Sequence, residues 1–335
     1  MSLREEFNSI PMPENTQSTP ADLLYAPHGG PGRFFNPWMG RSSSRGFRDL
    51  LKWKMGKNEY DKKRPLDIPV VRNDGAYLKD GGQPPSVTWV GHSTFAIQDG
   101  GDVALTDPHW GARALLPPRL SPPGIPLKAL PGNAFAVLSH CHYDHLDSWT
   151  VRHLPEAMPW YVPRGLAKWF QERGRFRVVE LDWWQSVRHG RWTLTFLPAQ
   201  HWSNRLGLGL NATLWGSWLL DSGERRYYFA GDSGYFHGFA EIGRRFAPLD
   251  VALLPIGAYE PRWFMRTQHA DPAEGYQAFL DLGARTMIPM HWGCFDLTDE
   301  PADLAPRVLA RVLEERGAEG ERVRILAVGE RWTVE

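Results

Sequence analysis

From residue 138 to residue 147 the chain reads L-S-H-C-H-Y-D-H-L-D, which places His140, His142, Asp144 and His145 within six positions. So many ligand-type side chains in one short stretch constrain a fold more than any apolar pattern, because they must converge on something. The preceding run, residues 134–138 (A-F-A-V-L), is strand-like, so the motif begins where an extended segment ends. Alternate side chains of an extended backbone share a face, which sets His140 beside His142. The chain must then turn and offer Asp144 and His145 to a second point nearby. Two imidazoles for one ion, and a carboxylate with an imidazole for another, suit a borderline metal and zinc above all. A lone histidine is usually structural; four such groups in six positions read as a metal site.

Two ions about 3.5–4 Å apart need more ligands than this segment supplies. Three candidates lie downstream. His201 follows the run R-W-T-L-T-F-L-P-A-Q, Asp232 follows R-Y-Y-F-A-G, and His291 follows T-M-I-P-M. Gly231 and Gly234 around Asp232 permit a tight turn. Each ligand-type residue stands just past a short β-rich run, as a site at the edge of packed sheets would require.

In this order, H-x-H-x-D-H, then His, then G-D-S, then His, the chain resembles the metallo-β-lactamase superfamily. Longer strings are similar to the N-acylphosphatidylethanolamine-hydrolysing phospholipase D group and its bacterial relatives: V-T-W-V-G-H-S-T-F, L-T-D-P, E-L-D-W-W, Q-H-W-S, L-W-G-S-W, F-A-G-D-S-G-Y, P-I-G-A-Y-E-P-R-W-F-M-R-T-Q-H-A-D-P and H-W-G-C-F. The resemblance spans residues 86–296. It departs at Cys294, where a threonine is expected, and at Cys141. The fold it implies is an αββα sandwich, two mixed sheets flanked by helices with the metals at one edge. It also implies two Zn2+ per chain, with His140, His142 and His201 on the first, Asp144, His145 and His291 on the second, and Asp232 on both. The implied activity is phosphodiester hydrolysis of phospholipase D type by a hydroxide bridging the zincs, with Asp144 as a possible proton acceptor and His269 acting near the scissile phosphate. Asp107 in L-T-D-P and Tyr143 within the motif are expected to orient the ligands. His92 and His109 lie near family motifs; His28, His153, His189 and His237 are read as structural or surface residues.

Charge is balanced, 38 basic residues against 38 acidic, so no global field attracts nucleic acid and none is expected as a partner. No run approaches the ~18 apolar residues of a membrane-spanning helix, and the N-terminus is polar. The expected location is the cytoplasm, with peripheral contact on the inner membrane face. Two cysteines cannot form a disulfide scaffold. The oligomeric state is left open.

Three regions separate along the chain. Residues 1–30 read as a flexible arm, 31–85 as a basic, aromatic lead-in, and 86–335 as the hydrolase domain. Within the lead-in, Phe47, Leu50, Leu51 and Met55 recur near helical spacing among Arg45, Arg48, Lys52 and Lys54. Such a segment either lies on an anionic membrane or packs its stripe against the domain. Residues 86–98 and 102–105 read as a hairpin across Asp99-Gly100-Gly101. A helix is expected from Asp271 to Gly283, with a capping box and an N1 proline, another from Pro301 to Gly317, and a shorter one between Gly165 and Gly174. About half of the sixteen tryptophans are expected in the core; the others suit an apolar channel or a lipid interface. Substrate class is where readings divide. The resemblance favours a phospholipid or other phosphodiester; a small lactone or sugar phosphate on the same two zincs is the alternative. A non-catalytic metal-binding module is a third reading, disfavoured by the complete ligand set.

Overall fold

The computed structural model describes residues 21–30, 32–39, 47–62, 64–318 and 320–335. A 3-10 turn at Ala21–Tyr25, a short pairing of β1 (Gly29–Gly30) with β2 (Arg33–Phe34), and helix α1 (Phe47–Met55) come before the main sheets. The first sheet is built from β3 (Ser86–Gly91), β4 (Thr94–Asp99), β5 (Asp102–Thr106), β6 (Phe135–Val137), β7 (Trp160–Pro163) and β8 (Val178–Leu181). Helices α2 (Ser148–His153) and α3 (Ala167–Gln171) connect its later strands. The second sheet holds β9 (Ser186–His189), β10 (Trp192–Leu197), β11 (Ser217–Asp221), β12 (Arg226–Phe229), β13 (Leu249–Pro255) and β14 (Ala284–Met290). Its helices are α4 (Gly238–Phe246), α5 (Arg262–Met265) and α6 (Pro272–Leu282), followed by α7 (Ala305–Glu315). The last strand, β15 (Arg331–Thr333), returns to pair antiparallel with β3. Strand order is β15-β3-β4-β5-β6-β7-β8 in one sheet and β14-β13-β12-β11-β10-β9 in the other. Both sheets are mixed, antiparallel from β3 to β5 and from β9 to β12, parallel from β5 to β8 and from β12 to β14.

Alternation along the strands sorts the core into layers. Val87, Trp89, Phe95, Ile97, Phe135 and Val137 of the first sheet belong to one cluster with Leu194, Phe196, Trp218 and Leu220 of the second. Their sequence neighbours Val90, Ala96, Val103, Leu105, Ala136 and Val162 point the other way, into a cluster closed by Val151 of α2 and by Trp169 and Phe170 of α3. Period-2 strands buried on both faces require a layer on each side. On the far side of the second sheet, α6 packs on β13 and β14 and against α4 and α7. The result is the αββα sandwich expected from the sequence. Ten tryptophans are buried, among them Trp89, Trp160, Trp192, Trp215 and Trp218 with 1% exposure or less.

Helix α6 has the limits read from the sequence. Asp271 accepts the Glu274 N–H at 2.8 Å, the Glu274 carboxylate reaches back to the Asp271 N–H, and Gly283 ends the helix at φ 62°. Such a cap is worth about 1 kcal/mol. Other boundaries moved. Residues 86–98 are not one strand but a hairpin, because the chain reverses at His92-Ser93 between β3 and β4. Helix α7 begins at Ala305 rather than Pro301, and α3 occupies only the middle of the 165–174 stretch.

Residues 1–20 of the expected arm lie outside the described residues, but 21–30 are tied down. Leu24 is buried, Tyr25 stacks on Trp184 at 4.5 Å, and its hydroxyl donates to Glu241 at 2.5 Å. In the lead-in, Arg45 and the Phe47 side chain also lie outside the described residues. The expected stripe does not dock on the core: Leu51 is 47% exposed and Met55 77%. The segment is held instead by Trp53, which donates to Asp299 at 2.9 Å and packs on Phe264 at 5.0 Å, and by an Arg64 fork on Asp303 at 2.7 and 3.0 Å.

Candidate metal centre

Strands β3, β5 and β6 of one sheet end at the same edge, as do β10, β12 and β14 of the other. Just beyond those ends stand His92, Asp107, His140, His201, Asp232 and His291 in turn. Open α/β sheets bind ligands at the carboxyl ends of strands because loops there can diverge and leave a crevice. Approach is close at Gly231: its φ is 58°, and a Cβ there would fall 2.5 Å from the Ser139 Cβ. The turn that presents Asp232 beside the histidine motif therefore needs glycine.

Two donor groups form. In one, His140 Nε2 lies 2.9 Å from His142 Nδ1, and His201 Nε2 lies 3.2 Å from that same atom. In the other, His145 Nε2 and His291 Nε2 are 3.3 Å apart, each 3.4–3.5 Å from Asp144 Oδ2. Asp232 stands between them. Its Oδ2 is 3.2 Å from His145, 3.9 Å from His140 and 3.8 Å from His201, and its Oδ1 is 3.0 Å from His291. Ligand atoms about 2.0–2.1 Å from a tetrahedral ion stand about 3.3–3.4 Å from one another, so both groups have the right spacing to hold one.

The hydrogen bonds behind the rings decide which nitrogens are free. The Asp107 carboxylate accepts from the Ser139 N–H at 2.7 Å, from the Ser139 hydroxyl at 2.5 Å and from His145 Nδ1 at 2.6 Å. With its proton on Asp107, the Ser139 hydroxyl can only accept from His140 Nδ1, 2.9 Å away. His201 Nδ1 donates to the Gln268 carbonyl at 2.9 Å. Three imidazoles are thereby fixed as tautomers with an Nε2 lone pair facing the cluster, the arrangement of a metal ligand backed by an acceptor. Asp107 thus holds His145 directly and His140 through Ser139. Ser139 and Gln268 act with it; Ser139 directly precedes the motif, but nothing in the sequence marks Gln268.

Burial pushes the imidazoles toward neutrality, taking His142 down to about 4, His201 and His269 to about 3, and His140 well below its ordinary value. His145 and His291 go the other way. Against burial, Asp232 and Asp144 raise both, His291 to about 9. Burial likewise favours the acid form of Asp144 and Asp232, but the imidazole of His145 holds both well below the usual carboxylate range, with His291 adding to it. Both rings turn Nε2 toward the two carboxylates, with those nitrogens 3.3 Å apart. A dication placed among them would take both Nε2 lone pairs and both carboxylates. The donor set fits a metal.

A cavity of about 600 Å³ opens over the cluster. His142, Asp144, Asp232 and His269 reach its floor, while Leu50, Trp53, Leu116, Leu210, Phe264 and Leu297 are among its walls. His269 Nδ1 is buried without a hydrogen-bond partner, 3.8 Å from Asp232 Oδ2. Tyr143 takes a different place from the one expected. Its hydroxyl accepts the Leu206 N–H at 3.1 Å and Arg205 lies 4.3 Å over its ring, so it anchors the loop beside the cavity. Leu50 was legible as part of an apolar stripe but not as cavity wall, and nothing in the sequence singled out Trp53. His28 pairs with Asp182 at 2.6 Å and packs on Trp183, a structural role as expected. Cys141 and Cys294 are free and buried.

The pattern of the beta-lactamase superfamily domain matches residues 104–292. The chain is 36% identical over 296 residues to N-acyl-phosphatidylethanolamine-hydrolyzing phospholipase D 1 of Caenorhabditis elegans, covering 82% of each chain. It is 32% identical over 272 residues to the mitochondrial N-acyl-phosphatidylethanolamine-hydrolyzing phospholipase D of Saccharomyces cerevisiae, covering 77% of this chain and 57% of that one. Among solved structures, a metallo hydrolase from Ignicoccus hospitalis superposes with a TM-score of 0.58 at 22% identity, covering 76% of this chain and 99% of that one. With fold, clustered histidines and relatives in agreement, the chain belongs to the metallo-β-lactamase superfamily, as a metal-dependent hydrolase similar to the N-acylphosphatidylethanolamine-hydrolysing phospholipases D.

Proposed function

We propose that the protein is a dizinc phosphodiesterase of phospholipase D type, acting on N-acylphosphatidylethanolamine-like phospholipids from the peripheral face of a membrane. The observation that carries this reading is the cavity. Two donor groups 3.0–3.9 Å from a shared carboxylate lie under a largely apolar chamber of about 600 Å³, within the size range of small-molecule sites. His140, His142 and His201 would hold one ion, Asp144, His145 and His291 the other, and Asp232 both. When bound, two zinc ions supply a nucleophile from water at neutral pH and offset charge developing on the phosphate oxygens. The chain's own groups do the rest. Asp232 and Asp144 keep the site anionic, and Asp144, exposed to the cavity floor, is placed to accept a proton. His269, neutral through burial, offers a ring nitrogen to a phosphate oxygen or leaving group above Asp232. Trp53, Phe264 and Leu116 exclude water around an acyl chain.

The mouth of the cavity favours a lipid surface. Leu50 of α1 lines the cavity and is 39% exposed, and the exposed Leu115 and Leu116 stand on its wall. Lys52, two residues on from Leu50 in α1, lies 4.8 Å over Trp263. Such basic groups add roughly 1 kcal/mol each at an anionic bilayer.

Hydrolysis is to be compared on N-acylphosphatidylethanolamine in anionic vesicles, on bis(p-nitrophenyl) phosphate, and on lactones and sugar phosphates. Cleavage of the two diesters is expected, and the double variant Lys52→Glu/Lys54→Glu should lose vesicle hydrolysis at low salt while keeping the soluble diester. Turnover confined to lactones or sugar phosphates would reject the reading in favour of a small-substrate hydrolase. His269→Ala should lower turnover by roughly 10²-fold with zinc content unchanged. A zinc ion lost with that ring would make His269 a ligand instead.

A further inference from the structure

His92 forms the turn between β3 and β4. Its side chain is buried, with Nε2 3.0 Å from Asp144 Oδ2. Its ring lies 4.0 Å from that of His291, with Phe295 at its edge 5.2 Å away. Its carbonyl accepts the His291 N–H at 3.2 Å and the Trp89 indole N–H at 2.9 Å. The residue sits at φ 53°, a left-handed conformation that costs energy for any side chain and persists only where the surroundings impose it. One residue of the first sheet thus holds Asp144, which follows β6, and His291, which follows β14 on the second sheet.

His92 stands as close to the cluster as the expected ligands do, and its donor atom falls in one group with those of Asp144, His145 and His291; spacing separates it from them. Its Nε2 is within direct hydrogen-bond reach of Asp144 Oδ2 at 3.0 Å, whereas His145 and His291 stand 3.4–3.5 Å from that oxygen, the spacing of donors around a common ion. We infer that His92 is a positioning residue for the second metal position: its N–H aims Asp144 Oδ2, and its ring and carbonyl set His291, so that both donors meet one ion. This inference rests on the two-ion reading proposed above.

Two substitutions test it on the full chain. His92→Phe keeps a ring against His291 and Phe295 but offers no N–H, whereas His92→Gln returns an N–H near the same place. Zinc per chain and stepwise removal by a chelator are the readouts. The two release steps are assigned with the His140→Ala and His291→Ala proteins. His92→Phe is expected to weaken the zinc of Asp144, His145 and His291 by roughly 10- to 100-fold, the range for lost partners of metal ligands. The zinc of His140, His142 and His201 should hold, and His92→Gln should recover most of the loss. Wild-type release of both ions from His92→Phe, equal weakening of both, or a glutamine as poor as the phenylalanine would each overturn the role. Should the phenylalanine disturb folding, His92→Ala repeats the comparison without added bulk. A wild type that binds only one ion would instead refute the two-ion reading, and this inference with it, before any variant is compared.

Discussion

Asp232→Asn is expected to abolish most turnover, by about 10²–10³-fold or more on a soluble diester, while the protein still folds. Asparagine matches aspartate in shape, so the close contacts of the Gly231 turn are kept. What changes is charge. Asp232 is buried and lies within 3.0–3.9 Å of His291, His145, His201 and His140. Burial works against its ionisation, and the imidazoles of His145 and His291 outweigh burial. A neutral amide would remove the negative charge that stands within 3.9 Å of all four rings. The measurements are kcat, zinc per chain and the thermal midpoint, taken together. Near-wild-type hydrolysis by the asparagine variant would remove Asp232 from the site.

Removing one imidazole from the other group should have a comparable effect. His140→Ala is expected to lose one zinc per chain and, with it, activity, because His140 Nε2 stands 2.9 Å from His142 Nδ1 and its Nδ1 is committed to Ser139. The damage should spread, since the His140 ring packs 4.2 Å from that of His145, and His145 bonds Asp107 directly while His140 reaches it through the Ser139 hydroxyl. Metal analysis of the purified variant beside the wild type reads the loss directly. A variant with two zincs and full activity would end the account of the first metal position.

Features carried by neighbouring residues were legible in the sequence. The motif at residues 140–145 stands out because packing alone rarely gathers four donor-type side chains in six positions, and each downstream candidate follows a β-rich run because side chains past strand ends can converge. Helix α6 was readable to its termini, since a capping box, an N1 proline and a left-handed glycine act within a few residues of one another. The turn at His92-Ser93 was missed because apolar alternation runs on through it and no Asn-Gly or Asp-Gly pair announces a reversal.

The sequence by itself determined the clustering of histidines and aspartates just past β-rich runs, because residue type, period-2 alternation and turn residues are local properties, and its resemblance to a known family implied the sandwich. Only the tertiary structure decided which nitrogens face inward, since those tautomers are set by Asp107 and by the carbonyl of Gln268, 67 positions from His201. It also decided that α1 serves as cavity wall rather than as core. Trp53 finds its acceptor in Asp299, 246 residues away, and no periodicity within nine residues of helix can say which distant surface will meet it.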